Sequence, residues 1–246
     1  MRPGTQLEIC EVRDAALEAP GQEINNGEVH LWRRSLGASP PAIDACFALL
    51  APDEREKAQR FRVERPRSDY ILTRGTLRSL LAGYLCRTPQ DFSFQYTTYG
   101  KPFLADHREL QFNVSHTDGL ALLAFVRDRE IGVDVEKVRA QSDVKKLAER
   151  FFSDRERDGL RDLAGEELHA AFFRCWTRKE AYIKAKGDGL SLPLHQFDVS
   201  VAPNQAQALL ATRPDPSEAG RWKISDVPVQ SGYAAAVAIE QKSAGT

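Results

Sequence analysis

The chain has 246 residues, 42% of them hydrophobic and 28% charged, and its 34 Lys and Arg against 35 Asp and Glu give a formal net charge of −1. That is enough apolar content for one large domain or two small ones, and the even charge balance excludes a global field drawing the chain to nucleic acid or a membrane surface. Cys10, Cys46, Cys86 and Cys175 are widely spaced with no Cys-x-x-Cys, which argues against a zinc site or a disulfide framework and fits a reducing cytoplasm. The start, Met1 to Gln6, lacks the apolar core of a signal peptide. No run of about 18 apolar residues is present to span a bilayer, so a cytoplasmic location is expected.

Residues 1–28 have mixed composition, with Gly21, Asn25, Asn26 and Gly27 near their end, and are expected to form a loose arm or an edge element. Val29 to Trp32 reads as a short strand, followed by helices at Pro41 to Leu50, Pro52 to Phe61 and Asp69 to Leu85. In the last of these, Tyr70, Leu77, Leu81 and Tyr84 form a core-facing stripe. Arg74 and Arg78 lie one turn apart on the same helix, a like-charge pair that an anion would relieve, although a solvated face is the default. Strands are expected at Phe92 to Thr97, Phe112 to Ser115, Leu120 to Val126 and Ile131 to Glu136, with a turn at Tyr99 to Pro102.

Arg127 to Glu130 reads as a hairpin connection and as the junction between two halves, 29–128 and 129–246. Helices follow at Asp143 to Phe152, Ser153 to Leu163 and Glu166 to Lys186, the last stopped by Gly187 and Gly189. Phe197 to Val199, Ala208 to Ala211, Trp222 to Ile224 and Tyr233 to Ile239 read as short strands. Helices mixed with mostly hairpin-joined strands imply a mixed α+β fold, not a regular parallel βαβ series.

The chemistry concentrates in two segments, Ile131 to Glu136 and Trp176 to Lys184. Asp134 and Glu136 interrupt a β-branched strand, and side chains at i and i+2 share one face, so two carboxylates there need a partner. Glu180, on a helix, is placed to close the site from the other side. Three acidic oxygen donors without His or Cys suit a hard cation such as Mg²⁺, which shares its coordination with phosphate. The competing readings are a strand end paired to Lys137 and Arg139, and a helix-surface pair of Glu180 with Lys184.

Phe112 to Thr117 ends in hydrogen-bonding residues. Ser115 and His116 are adjacent and point apart in an extended segment, so His116 is cast as a phosphate donor, not as the base of a Ser-His pair. Lys101, in Gly100-Lys101-Pro102, presents an ammonium at a rigid turn, but the spacing is not that of a P-loop. Ser153 to Glu156 matches a capping box, and its carboxylate is a general base only if that helix start faces the metal site. Phe151, Phe152, Phe172, Phe173 and Trp176 are expected in the core.

Taken in order, Tyr99 to Pro102, Phe112 to His116, Gly132 to Glu136, Phe151 to Ser153 and Trp176 to Leu190 resemble the 4′-phosphopantetheinyl transferases, in the larger type that activates nonribosomal peptide and polyketide synthetases. The resemblance runs from about Val29 to Leu194. It implies a monomer of two similar halves related by a pseudo-twofold, with coenzyme A in the cleft between them. It implies transfer of the phosphopantetheine arm from coenzyme A to a serine of an acyl or peptidyl carrier domain, releasing adenosine 3′,5′-bisphosphate. By position, Asp134, Glu136 and Glu180 match the Mg²⁺ ligands, with Mn²⁺ as an alternative metal. Lys101, His116 and Lys184 match contacts to coenzyme A phosphates, with Lys57, Arg74 and Ser115 nearby and Lys179 beside the site. Glu156 aligns with the proposed base, a metal-bound water or Glu136 being the second candidate, and Lys184 and Glu136 are also expected to act in catalysis. Glu54 stands where related sequences can carry a lysine, which separates this chain from them at the 3′-phosphate. Carrier recognition is expected along Gln141 to Leu163, through an apolar patch with basic residues. Two readings compete: a Mg²⁺-dependent nucleotide-diphosphate hydrolase, and a non-catalytic module binding coenzyme A or a carrier protein.

Overall fold

The computed structural model describes residues 6–12, 23–140, 143–187, 192–203, 205 and 208–241. Its first half is built on a four-stranded sheet in the order β1-β2-β6-β5, from β1 (Gln6–Val12), β2 (Glu28–Ser35), β5 (Leu110–Thr117) and β6 (Leu120–Arg127). β1 runs parallel to β2 along the edge, so these residues of the N-terminal stretch form the edge element. Three helices follow β2: α1 (Pro40–Ala48), α2 (Pro52–Gln59) and the long α3 (Glu64–Leu85). Pro40 and Pro52 open α1 and α2 at positions whose N–H would have no intrahelical partner. A small hairpin, β3 (Phe94–Tyr96) and β4 (Pro102–Leu104), turns through Gly100 at φ 84°.

The second half has a three-stranded antiparallel sheet, β10-β11-β7, from β7 (Ile131–Lys137), β10 (Trp222–Asp226) and β11 (Tyr233–Glu240). Against it lie α4 (Val144–Phe151), α5 (Asp154–Leu160) and the 22-residue α6 (Gly165–Lys186). A second small hairpin joins β8 (Phe197–Val199) to β9 (Leu209–Thr212). Gly187 closes α6 in the left-handed conformation at φ 74°, as its position in the sequence predicts, whereas Gly189 lies outside the described residues.

Several expected boundaries shift, and 3₁₀ turns appear between elements. α3 starts at Glu64 instead of Asp69, because Pro66 falls in the first turn, where a missing N–H costs nothing. The strand expected from Phe92 starts at Phe94, after a 3₁₀ turn at Pro89–Asp91. Pro102, read as the end of a turn, begins a strand, Pro102–Leu104, that pairs as β4. A further 3₁₀ turn at Pro216–Arg221 precedes β10.

The cores follow from the strand alternation. Leu77, Leu81, Tyr84, Phe112 and Phe125 pack in the first half, and Phe152, Phe172, Cys175, Tyr182 and Phe197 in the second. A third cluster belongs to both halves: Val29, Leu31, Leu122 and Val126 meet Ile131, Val133, Val135 and Val237. Phe152 and Phe172 stack with centroids 5.1 Å apart, and Phe151 meets Trp176 edge-on at 5.8 Å, so the expected aromatic residues do line the second core.

Candidate active site

β5 and β7 run side by side, and side chains of one satisfy backbone donors of the other. Val133 N donates to Asn113 Oδ1 at 2.9 Å, Val135 N to Ser115 Oγ at 3.3 Å and Lys137 N to Thr117 Oγ1 at 3.4 Å. The spacing advances by two residues on both strands, so this polar ladder joins the halves in parallel register. The hydroxyls also hold the carboxylates: Ser115 Oγ donates to Asp134 Oδ1 at 2.9 Å, and Thr117 Oγ1 to Glu136 Oε2 at 3.3 Å.

The opposite wall is α6. Gly132, Asp134 and Glu136 share a face of the sheet with Ala238, Ala236 and Ala234, their partners on β11. These small side chains let the helix come close. A Cβ on Gly132 would sit 2.1 Å from Ala181 O and 2.3 Å from Ala185 N. The close approach brings Glu180 and Lys184 to the carboxylates of β7. Lys184 Nζ donates to Asp134 Oδ1 at 2.6 Å and to Ser115 Oγ at 3.0 Å.

Asp134 is 4% exposed, and its Oδ2 has no hydrogen-bond partner among the described residues. Burial first and then the neighbouring Asp134 push the Glu136 carboxyl above its ordinary value, while Thr117, Lys184 and Arg139 pull it back. Glu180 is raised by burial and then by Asp134, with Glu136 adding and Lys184 opposing. Two carboxyls raised by burial and by the adjacent Asp134 make a site short of positive charge, with hard oxygen donors and one buried Asp134 oxygen unsatisfied. That set fits a divalent cation. As placed, among the described residues no three acidic, His or Cys side chains form a ready metal cage; the Lys184 ammonium holds Asp134 instead. Of the partners in the paired-surface readings, Lys137 turns to Asp118 at 2.6 Å and Lys184 to Asp134 at 2.6 Å, while Arg139 still acts on Glu136 and Lys184 on Glu180.

Glu180 and Lys184 line a cleft of about 370 Å³ together with Lys101, Pro102, Asn113 and Val114. Lys101 Nζ is 2.7 Å from Glu130 Oε2 and 3.4 Å from Ala185 O. His116 is exposed at the end of β5. Its imidazole is held below the ordinary value by desolvation, with Asp69 of α3 acting upward and Lys184 downward.

The other expected residues lie apart from this cluster. Lys57 is exposed on α2, over the Tyr70 ring at 5.1 Å. Arg74 and Arg78 are both paired to Glu54, which is 3% exposed, so the anion that the like-charge pair calls for comes from the chain itself. Arg74 also donates to Tyr96 Oη at 2.7 Å and packs on the Phe94 ring at 4.0 Å.

Lys179 and Glu156 form a sealed network. Lys179 Nζ is 2.7 Å from Glu156 Oε1 and donates to Leu194 O and Phe197 O at 2.8 Å each. Glu156 accepts from Val199 N at 2.7 Å and, closing the capping box of α5, from Ser153 N at 2.9 Å. Burial pushes its carboxyl up, and Lys179 with these backbone donors pulls the other way. Both side chains are fully buried. The capping role is therefore met, and neither residue faces the acids of β7.

Sequence reasoning missed Asn113, Thr117, Glu130 and Asp69. The signal for the first two was the alternation Asn113, Ser115, Thr117 on one face of a strand, set against the equally regular Val133, Val135, Lys137. For Glu130 and Asp69 no local signal exists, since their partners are distant in the chain.

The model of the 4′-phosphopantetheinyl transferase superfamily matches residues 130–238, and that of the 4′-phosphopantetheinyl transferase N-terminal region matches 37–127. The two matches abut at the Arg127 to Glu130 connection. The chain is also 39% identical over 223 residues to 4′-phosphopantetheinyl transferase HetI of Nostoc sp., covering 89% of this chain and 91% of that protein. The chain belongs to the 4′-phosphopantetheinyl transferase superfamily. It is 35% identical over 191 residues to putative 4′-phosphopantetheinyl transferase slr0495 of Synechocystis sp., covering 77% of this chain and 76% of that protein. To 4′-phosphopantetheinyl transferase Sfp of Bacillus subtilis it is 34% identical over 153 residues, covering 62% and 67%. As a transferase of this superfamily the chain is an enzyme, and the family read from its motifs is the family found. Among the described residues no helix is long and apolar enough to cross a membrane.

Proposed function

We propose that this transferase moves the 4′-phosphopantetheine arm of coenzyme A onto a serine hydroxyl of an apo carrier domain, with Asp134, Glu136 and Glu180 holding a divalent cation, Mg²⁺ or Mn²⁺. The observation that carries the reading is the meeting of these acids with Lys184 around the unsatisfied Asp134 Oδ2, in a chain of this superfamily. When bound, the cation would neutralise charge developing on the diphosphate.

In the transfer, the serine oxygen forms a bond to the phosphorus bearing the pantetheine arm, and the bond from that phosphorus to the nucleotide breaks. Lys101 and Lys184 flank the cleft as donors for diphosphate oxygens, and His116 adds a third at its edge. The serine proton needs an acceptor within reach. Glu136, half-buried beside Asp134, is the acceptor this reading assigns, on its position in the cluster. The enclosure of Glu156 supports a structural part for it instead.

Along α4 and α5, Leu147 is 37% exposed, and a groove of about 580 Å³ is lined by Lys145, Arg157 and Arg161 together with Glu149, Asp154 and Asp158, Arg157 pairing with Asp154 and Arg161 with Asp158. The exposed Leu147 supports an apolar contact with the carrier along residues 143–163, whereas the balanced charges of the groove do not single out an acidic partner; Gln141 itself lies outside the described residues. A cytoplasmic monomer completes the proposal.

The test follows adenosine 3′,5′-bisphosphate release from coenzyme A with and without an apo carrier protein, with Mg²⁺ and with chelator. Release that needs both carrier and metal, in step with carrier modified, is expected. Release in the absence of carrier would instead favour a diphosphate hydrolase.

A further inference from the structure

We propose that Glu130 is a built-in competitor for the Lys101 ammonium, which coenzyme A must displace to enter the cleft, so that Glu130 sets the affinity for the substrate. The inference rests on the reading of Lys101 as a donor to the coenzyme A phosphates. Lys101 sits at the turn between β3 and β4 in the first half, and Glu130 immediately before β7 in the second. Their 2.7 Å ion pair therefore links the two halves at Lys101, which lines the cleft.

The two partners are not equivalent. The Lys101 side chain is 9% exposed and the Glu130 side chain 45% exposed. Lys101 has a second anchor, Ala185 O at 3.4 Å, in the last turn of α6, where the helix dipole favours a cation. Glu130 is anchored by its backbone: its N–H donates to Glu240 Oε2 at 3.3 Å, and its carbonyl accepts from Glu240 N at 2.9 Å. Its carboxylate can therefore leave for solvent without moving the strand, while the ammonium stays in the cleft. A diphosphate entering beside Lys101 and Lys184 meets the Glu130 charge as a repulsion and as a rival for the same donor. A half-exposed ion pair is worth about 0.2–1 kcal/mol, which bounds the effect at about fivefold in affinity.

The experiment measures the coenzyme A dissociation constant by calorimetry, with steady-state transfer to a carrier protein, for the wild type, Glu130→Gln, Lys101→Met and the double variant. Glu130→Gln keeps the shape and a hydrogen bond to Lys101 while removing the charge. The expected result is binding tightened about two- to fivefold, with KM lowered to match and kcat changed far less. In the Lys101→Met background the same substitution should have no such effect. Unchanged or weaker binding in Glu130→Gln, with Lys101→Met still damaging, would overturn the proposal and make Glu130 a strut that positions the lysine. If Lys101→Met leaves binding unchanged, the reading of Lys101 itself fails and the competitor role falls with it. Thermal unfolding of each variant separates these outcomes from a folding defect.

Discussion

Lys179 and Lys184 lie on one helix, yet the structure gives them opposite work. Lys179 is sealed against Glu156 and two carbonyls, so Lys179→Met leaves a buried carboxylate uncompensated and should cost about 3–5 kcal/mol of stability in a urea titration. Lys184 is 30% exposed on the cleft, so Lys184→Met should lose transfer activity at a smaller cost in stability. The reverse ranking would place the functional lysine on the wrong face of α6. Tyr70 offers a separate check at this scale. Burial first, and then Glu54, push its phenol up to about 12. A pKa raised in the folded state favours the neutral phenol there, so this contribution to stability is complete below about pH 10 and lost as pH climbs through about 12. The tyrosinate absorbance lost in Tyr70→Phe should therefore rise only near pH 12, and a rise near pH 10 in folded protein would contradict the burial.

At the level of elements, the site depends on how near α6 lies to β7, and Gly132 sets that distance. Gly132→Ala places a methyl within 2.1 Å of the Ala181 carbonyl oxygen, and nothing in the helix backbone can yield without moving Glu180 and Lys184. Overpacking of this kind costs about 1–3 kcal/mol or more. Transfer should fall further than that stability loss explains, and a variant with wild-type activity would disprove the close-packing account. Much of this was legible in the sequence. Asp134 and Glu136 share a face because strand alternation demands it, and Gly187 ends α6 where its position said it would. The long reach of Lys179 to Leu194 and Phe197, and of Glu54 to Arg74 and Arg78, was not. Those contacts join residues whose spacing carries no periodic signal, and only the packing of elements decides which of two neighbouring cations turns inward.

For the molecule as a whole, the halves share the cluster around Leu122, Val133 and Val237 and the ladder from Asn113 to Thr117. Neither half can bury that surface alone. Heating should therefore give one transition by far-ultraviolet circular dichroism and by calorimetry, and a fragment of residues 129–246 should not fold. Two resolved transitions would contradict a shared core. That unity matters for function because the metal-fitting acids, the β5 hydroxyls and Lys101 come from both sides of the junction.

The most direct test of the account is intact-mass spectrometry of apo carrier proteins incubated with this protein, coenzyme A and Mg²⁺, alongside Asp134→Ala. The predicted result is a gain of about 340 Da on one serine, the mass of a phosphopantetheine group, abolished by chelator and by the variant. A folded protein that binds coenzyme A yet modifies no carrier, or whose Asp134→Ala variant transfers as well as the wild type, would contradict it.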